Sequence, residues 1–297
     1  MPNPTALNYA QAYQQALAQA YPYVLHFAAL RSTENDRRYR WTGANTIQIP
    51  VLTTTGRVDA DRDTISTATR NYNNSWEPKT LTNHRKWSTL IHPMDVDETN
   101  YVASIQNITK VFNEEQKFPE MDAYLVSKIF ADWVAAGGAV DTTALTVNNI
   151  LSVFDQWMQN MDDKNVPGTG RILYVTPAVK TLLKQAKEIS RFIMNGDSAI
   201  NRAVRSLDEV TIESVPSALM KTVYDFTSGW QAGAGAKQIN MLLVHPTAVI
   251  TPEKYAFAQL DPPSAGSEGK YVYFEESYDD VFVLNKRIHA IMFNTEA

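Results

Sequence analysis

Three aspartates in the first third of the chain have the spacing that opens a calcium-binding loop. Asp59, Asp61 and Asp63 alternate with other residues, and carboxylate oxygens are the ligands that Ca²⁺ prefers. Such a loop also needs a glycine at its sixth position and a glutamate at its twelfth, where this chain has Thr64 and Arg70. The ligand set is incomplete. We therefore expect no metal here. The segment is either a simple exposed charged loop or a surface that forms ion pairs with a partner.

Other residue types that commonly catalyse reactions or bind metals lack the spacing that such sites need. The five histidines are scattered, with no HxH, HExxH or His-x3-His pattern. No GxSxG, Walker A or GxGxxG motif occurs, and the glycine run at 229–235 follows no hydrophobic strand. Carboxylate pairs such as Asp279–Asp280 have no convergent His or Lys, so we interpret them as solvated turns. We therefore predict no catalytic residue, no metal and no cofactor, in a protein that is not an enzyme.

The composition of the 297-residue chain is that of a folded protein rather than a disordered or fibrous one. Hydrophobic residues make up 44% and charged residues 20%, and the absence of cysteine excludes disulfides and cysteine-based chemistry. The net charge of -5 argues against a dedicated DNA- or RNA-binding protein. No stretch approaches the roughly 18 apolar residues that cross a bilayer, and the N-terminus lacks a signal peptide's basic region. We expect a soluble protein without a membrane partner, folded in a reducing compartment.

An unusually polar segment follows residue 40. Three alternating apolar residues, Ile47, Ile49 and Val51, predict a short strand, and Pro50 confines it to a sheet edge. Residues 56–80 are almost all polar, and Leu81–Ile91 is predicted to be the returning strand. An isolated hairpin is only marginally stable in water, and structureless loops of this length are uncommon. The segment is therefore either disordered or stabilised by contacts outside its own domain.

The rest of the chain mixes helix and strand patterns without a regular strand–helix–strand repeat, which predicts the α+β class. Apolar residues at spacings of three and four predict helices over Leu7–Ala20, Pro119–Ala136, Val147–Met161 and Val179–Ile189. Gly137 should end the second of these, and Thr176 should cap the last. Apolar runs predict strands over Tyr101–Phe112, Arg171–Val175, Val210–Val215, Gln238–Val244, Tyr271–Phe274 and Asp280–Phe293.

The order of these elements resembles the major capsid proteins of tailed bacteriophages, which share the fold named after phage Hong Kong 97. The polar hairpin (TIQIPVLTTTGRVDADRD to HRKWSTLI) resembles the family's extended loop, and the helix Pro119–Ala136 is similar to its spine helix. PGTGRILYVTPAVKTLL resembles the first half of the axial domain, and VTIESVPSALM and QINMLLVHPTAVITPEK resemble its core strands. The closing YFEESYDDVFVLNKRIHAIMF resembles the strand that returns to the peripheral domain. The likeness covers nearly the whole chain and rests on order and spacing.

The resemblance implies a domain organisation and a set of contact residues. The expected divisions are an N-terminal arm (1–40), an extended loop (41–92), a peripheral domain with the long spine helix (93–139 and 270–297) and an axial domain (140–269). In this family the extended loop lies across a neighbouring subunit. The implied candidates for contact between subunits are Ile47, Ile49, Arg57, Asp59, Arg62, Asp63 and Trp87.

The resemblance also implies a function. The chain would self-assemble through pentamers and hexamers into the icosahedral shell that encloses a phage double-stranded DNA genome, without sequence-specific DNA contacts. It would be located in the virion after assembly in the host cytoplasm. The chain starts close to the arm, which implies a separate scaffolding protein or none; portal and decoration proteins are further candidate partners.

Two other functions stay open at this point. An encapsulin, the shell protein of a cellular nanocompartment, shares this fold at a similar length, and the shell contents would separate the two. A soluble enzyme or carbohydrate-binding protein could use the aromatic residues Trp76, Trp87 and Trp230 as a sugar platform, although buried tryptophan is commoner. Light scattering would distinguish this last alternative, because large assemblies favour a shell protein and a monomer at all concentrations favours the enzyme or carbohydrate-binding protein.

Overall fold

The computed structural model describes residues 23–31, 39–59, 70–98, 104–186 and 206–297. The predicted helix over Leu7–Ala20 lies outside these residues, as do Arg62 and Asp63. Within the described ranges the helices are α1 (Ala28–Arg31), α2 (Pro93–Glu98), α3 (Ile105–Phe112), α4 (Phe118–Ala135), α5 (Ile150–Asp163) and α6 (Pro177–Gln185). A π-helix (Asn113–Lys117) joins α3 to α4, and short 3₁₀ helices span Ser217–Leu219, Pro246–Ala248 and Asn285–Ala290.

The strands of the described residues are mostly short and form five sheets. In the first half of the chain they are β1 (Arg40–Trp41), β2 (Thr46–Thr54), β3 (Tyr72–Thr80), β4 (Asn83–Ile91) and β5 (Ile172–Val175). The others are β6 (Ser206–Leu207), β7 (Val210–Ser214), β8 (Tyr224–Asp225), β9 (Gln231–Ala232), β10 (Ile239–Val244), β11 (Val249–Ile250), β12 (Glu253–Asp261), β13 (Tyr271–Asp279), β14 (Phe282–Val283) and β15 (Ile291–Thr295).

The main core surrounds a five-stranded sheet in the order β15-β10-β5-β7-β6. Its strands β5 and β7 are parallel and the other neighbours are antiparallel. Successive residues of β5 enter different clusters: Leu173 packs with α5 and α6, and Tyr174 packs with α4. Both faces of the sheet are therefore covered, which is why β10 consists of the nearly continuous apolar run INMLLV.

A long helix runs through α3, the π-helix and α4. The predicted helix at Pro119–Ala136 is confirmed as α4, and Gly137 follows it with a φ of +97°, a conformation that favours glycine. The strand predicted at Tyr101–Phe112 is wrong, because its described part is helical from Ile105 onward. The Oγ of Ser104 accepts a hydrogen bond from the N–H of Asn107 at 3.4 Å and caps α3.

The polar hairpin forms, with a different return strand from the predicted one. Strand β2 pairs with β3 over nine residues, from Thr46 opposite Thr80 to Thr54 opposite Tyr72. The segment predicted to return, Leu81–Ile91, instead contains β4, which pairs with β13 in a sheet ordered β12-β13-β4. The polar composition of β3 did not identify it as a strand, because a strand that is paired along its backbone can carry polar side chains on both faces.

The prediction that Pro50 confines its strand to a sheet edge is wrong for the strand as a whole, although one side of the strand is unpaired at Pro50 itself. Strand β2 is the middle strand of the order β1-β2-β3, but β1 pairs only with Ile47 and Gln48. The N–H of Thr55 donates to Asn71 O at 3.0 Å, so odd-numbered residues of β2 direct their N–H groups at β3. The nitrogen of Pro50 therefore points to the side that β1 does not reach, where no donor is needed.

The C-terminal segment predicted as one strand, Asp280–Phe293, is interrupted. It contains β14, the 3₁₀ helix Asn285–Ala290 and β15. The indole Nε1 of Trp133 donates to Ile288 O at 3.1 Å and fixes the 3₁₀ helix against α4. The one-strand prediction is therefore wrong, because tertiary contacts determine the conformation of the polar stretch between the two apolar runs.

Strand pairing crosses the predicted domain boundaries. Strand β4, from the predicted extended loop, and β12, from the predicted axial domain, both pair with β13 of the predicted peripheral domain. Strand β15 of the predicted peripheral domain pairs with β10 of the predicted axial domain. The division into domains stays a prediction. No helix in the described part of the chain is long and apolar enough to span a bilayer.

Candidate assembly surfaces

The base of the β2–β3 hairpin is anchored to the body of its own chain. Ile47, Ile49 and Leu81 are buried with Ile250 and Phe282 in a small apolar cluster. The outcome differs from the expectation that Ile47 and Ile49 contact another subunit, because side chains buried in their own chain present no surface to a partner. We therefore leave both out of the candidate contact surface.

A polar bridge adds to this anchor. The amide Nδ2 of Asn285 donates to Glu77 Oε2 at 3.1 Å, and Lys79 Nζ donates to Asn285 Oδ1 at 3.5 Å. Glu77 and Lys79 are both on β3, so one side chain of the body holds two positions of the hairpin. The direction in which the hairpin leaves the body is therefore determined by its first few residue pairs.

The outer part of the hairpin exposes large apolar side chains. Leu52 is 64% exposed, Tyr72 57% and Trp76 39%, and Val58 is also exposed. The guanidinium of Arg40 lies 3.8 Å from the centre of the Trp76 ring, a cation–π contact. Scattered exposed apolar residues are ordinary, but several on one ribbon without a core of its own mark an interaction surface.

The remaining predicted contact residues fall into three groups. Arg57 and Asp59 are exposed beyond the end of β2 and stay predicted contact residues. Trp87 is half-buried, with its ring 3.8 Å from that of Phe112 and nearly parallel to it, so it packs β4 onto α3 of its own chain. Arg62 and Asp63 lie outside the described residues.

A groove of about 860 Å³ separates the long helix from the sheet β12-β13-β4. Ion pairs cross it: Arg85 Nε lies 2.6 Å from Glu120 Oε1, and Lys117 Nζ lies 3.1 Å from Glu275 Oε1. These partly exposed pairs orient the sheet on the helix and contribute little stability each. Among the described residues no group of three or more His, Asp or Glu could hold a metal ion.

Asp280 links three elements where the sheet meets the long helix, and sequence reasoning missed it. Its Oδ2 accepts from Thr82 N at 2.7 Å and Thr82 Oγ1 at 3.1 Å, and its Oδ1 accepts from Tyr124 Oη at 2.8 Å and Val281 N at 2.7 Å. Burial and this carboxyl group raise the pKa of Tyr124. Asp280 is completely buried, so the interpretation of Asp279–Asp280 as a solvated turn is wrong.

A second buried carboxyl group holds residues 23–31, the described part of the predicted N-terminal arm. Asp122 Oδ2 accepts from Tyr23 Oη at 2.6 Å and from His26 N at 2.9 Å. Phe27 and Leu30 are buried in the main core beside it. This stretch is therefore packed on its own chain. Burial raises the pKa of Asp122, despite the hydrogen bonds and nearby Arg31, which act in the opposite direction.

The raised pKa of Asp122 predicts a pH-dependent stability difference. A carboxyl group whose pKa is higher in the folded state binds more protons there, so its contribution to the free energy of unfolding falls as the pH rises from about 4 through the folded-state pKa. Asp122→Asn removes this titration and keeps an acceptor for Tyr23. We expect the variant to gain stability relative to the parent as the pH rises from about 4 to 8. Urea unfolding at several pH values measures it, with exposed Asp163→Asn as control. A difference in the free energy of unfolding between Asp122→Asn and the parent that does not change with pH would contradict the prediction.

Comparisons with known proteins show the fold. No family model matches the chain, and neither does any curated protein. The capsid structure of the cyanophage P-SCSP1u is 14% identical, with 97% of this chain and 92% of that chain covered and a TM-score of 0.71. The mature capsid of bacteriophage PhiM1 is 14% identical (97% and 91% covered, TM-score 0.67), and a Mycobacterium phage Che8 structure is 12% identical (96% of each chain, TM-score 0.65). The chain therefore has the predicted α+β, Hong Kong 97-like phage capsid fold over nearly its whole length.

Proposed function

We propose that this protein is a major capsid protein, the virion subunit that self-assembles through pentamers and hexamers into an icosahedral shell around phage double-stranded DNA. The shared fold supports this proposal. The observation that carries it is the β2–β3 hairpin, which is anchored at its base and exposes Leu52, Tyr72 and Trp76 farther out. Large apolar side chains on an exposed hairpin do not stabilise a monomer, because they remain in contact with water.

The hairpin of one copy lies on the body of the next in this proposal. Full burial of a Leu or an aromatic side chain contributes about 1.5–3 kcal/mol, so three such residues supply several kcal/mol per contact. Arg57 and Asp59 are exposed at the outer end, together in sequence with Arg62 and Asp63, and form ion pairs across the contact. Head-to-tail contacts between different surfaces close into rings when the rotation permits, which gives pentamers and hexamers.

The charge of the chain fits a container for DNA. With a net charge of -5, the wall does not adsorb the genome through the strong, salt-dependent contacts that a basic surface makes. Assembly takes place in the host cytoplasm. Candidate partners are a portal, decoration proteins and, where one is used, a scaffolding protein, and the packaged DNA is held without sequence-specific contacts.

The tryptophans argue against the carbohydrate-binding alternative. Trp87 packs on Phe112, and Trp230 packs against the core with its ring 6.3 Å from that of Tyr224. Trp76 lies on the hairpin beneath Arg40. The three rings belong to three separate contacts and do not form a shared sugar platform.

Expression of the full chain alone tests the function. Light scattering and negative-stain electron microscopy should show capsomers or closed particles. A monomer at every concentration would overturn the proposal. Particles recovered from infected cells should contain DNA, whereas a protein cargo without DNA would instead identify an encapsulin shell.

A further inference from the structure

Strand β12 is an unprotected sheet edge. It is the outer strand of the order β12-β13-β4, and in the described chain β13 is its one strand partner. All nine residues of β12 are exposed. Its central sequence YAFAQL, residues 255–260, has no charge and no proline. An exposed edge whose six central residues include aromatic side chains and carry no charge is a template for pairing with another strand.

Two other long edges of the described chain carry charged residues or proline inside the strand, whereas the charges of β12 lie at its ends, on Glu253, Lys254 and Asp261. The first half of β4 contains His84, Arg85 and Lys86, and β3 contains Pro78 between Glu77 and Lys79. Charged side chains and proline are the residues by which native proteins prevent pairing at free edges. This difference between β12 and the strands β3 and β4 indicates that β12 pairs with a partner strand.

The side chains of β12 also form an exposed apolar surface. Tyr255 is 46% and Phe257 39% exposed, and their rings are nearly parallel with centroids 6.3 Å apart. Phe257 also lies 6.2 Å from the Phe274 ring on β13. Phe257 is opposite Glu276, whereas Trp87, which packs on α3, is opposite Glu275. The aromatic row is therefore on the sheet face opposite Trp87.

We infer that β12 of one copy pairs antiparallel with β12 of a second copy, which joins their three-stranded sheets into one six-stranded sheet across a two-fold axis. The strand is complementary to itself. A register centred on Ala258 brings the uncharged centres of the two strands together, with Phe257 of one copy opposite Gln259 of the other and Tyr255 opposite Asp261. The aromatic rows of the two copies become continuous.

This inference rests on the proposed shell function and adds the contact that rings lack. Hairpin contacts between unlike surfaces are heterologous, and a ring closed by them has no reason to join another ring. A shell needs a second interface between rings. A self-complementary, two-fold contact such as the β12 pair supplies it, because the same strand is presented by every subunit.

Single cysteines test the pairing directly, because the natural chain has no cysteine. The variants Ala256→Cys, Phe257→Cys, Ala258→Cys and Gln259→Cys are assembled and oxidised. The residue on the two-fold axis faces its own copy, so we expect disulfide dimers to peak at residue 258, with over about half of the chains linked. Exposed Met94→Cys is the control and should remain monomeric on a non-reducing gel.

A hairpin partner at β12 is a separate outcome of the same experiment. Phe257→Cys is mixed with Ser75→Cys, which lies on β3. A disulfide between these two variants, without β12 homodimers, would overturn the inference and identify the hairpin as the partner strand. It would leave the shell function intact.

A charge placed on β12 tests the consequence for the shell. Phe257→Lys imitates the protection of β4 and places like charges beside each other near the axis, so it should yield capsomers without closed shells. Phe257→Tyr is the matched control and should form shells. If Phe257→Lys forms normal shells and the cysteine variants of β12 form no disulfide dimers, the β12 pairing is overturned and the proposed shell function is unaffected. Absence of capsomers in the parent chain overturns the proposed function and the inference with it.

Discussion

Replacing residues 52–74 with an Asn-Gly turn should abolish particle formation and leave the body of the protein folded. The replacement removes Leu52, Tyr72 and the outer charged residues, and keeps the buried cluster at the hairpin base. Odd-numbered residues of β2 direct their N–H groups at β3, so Val51 and Ser75 form a hydrogen-bonded pair that a two-residue turn can close. Loss of about 3 kcal/mol per contact lowers each contact's equilibrium constant over about 100-fold. Light scattering measures the particle yield.

Two further measurements show whether the loss of particles comes from the missing contact between subunits or from misfolding. The thermal unfolding midpoint of the truncated chain should stay within a few degrees of the parent, because the removed side chains are exposed. The double variant Leu52→Ser with Tyr72→Ser should reduce the particle yield as well, whereas Val24→Ser, at an exposed apolar residue outside the hairpin, should not. Closed particles from the truncated chain would remove the hairpin from the mechanism.

Elements with a strong local signal could be predicted from the sequence. The repeat of apolar residues in α5 and α4 determines which face is buried, and Thr176 caps α6 through its Oγ1, which accepts from Val179 N at 3.5 Å. The continuously apolar β10 is likewise defined by local composition. Such features depend on neighbours within a few residues, which is the information that a sequence presents directly.

Pairing and burial across the chain could not be predicted in the same way. The polar residues of β3 give no alternation, and its position is determined by backbone hydrogen bonds to β2. The register of a strand depends on its partner, and the partner is distant in sequence. The candidate site shows the same limit: the resemblance indicated the hairpin, but only coordinates show that Ile47 and Ile49 are buried at its base. The unpaired edge of β12 also follows from the sheet order rather than from its sequence.

Asp280→Ala should cause the largest loss of stability among single substitutions at the junction of the sheet and the long helix. The side chain is fully buried and accepts four hydrogen bonds, from Thr82, Tyr124 and Val281. Truncation leaves these buried donors without an acceptor, and an unsatisfied buried group costs about 1–3 kcal/mol. We expect a total loss of about 3–5 kcal/mol in the free energy of unfolding, measured by urea denaturation.

Graded variants show whether the hydrogen bonds carry this loss. Tyr124→Phe removes one of the four and should lose about 1 kcal/mol, and Asp280→Asn keeps one acceptor oxygen and should lose an intermediate amount. Exposed Asp163→Ala is the control and should change stability by under about 0.5 kcal/mol. Because Asp280 joins α4 to the residues just before β4 and β14, its loss should also lower the particle yield. Equal stability of Asp280→Ala and Asp163→Ala would show that this junction does not depend on the carboxyl group.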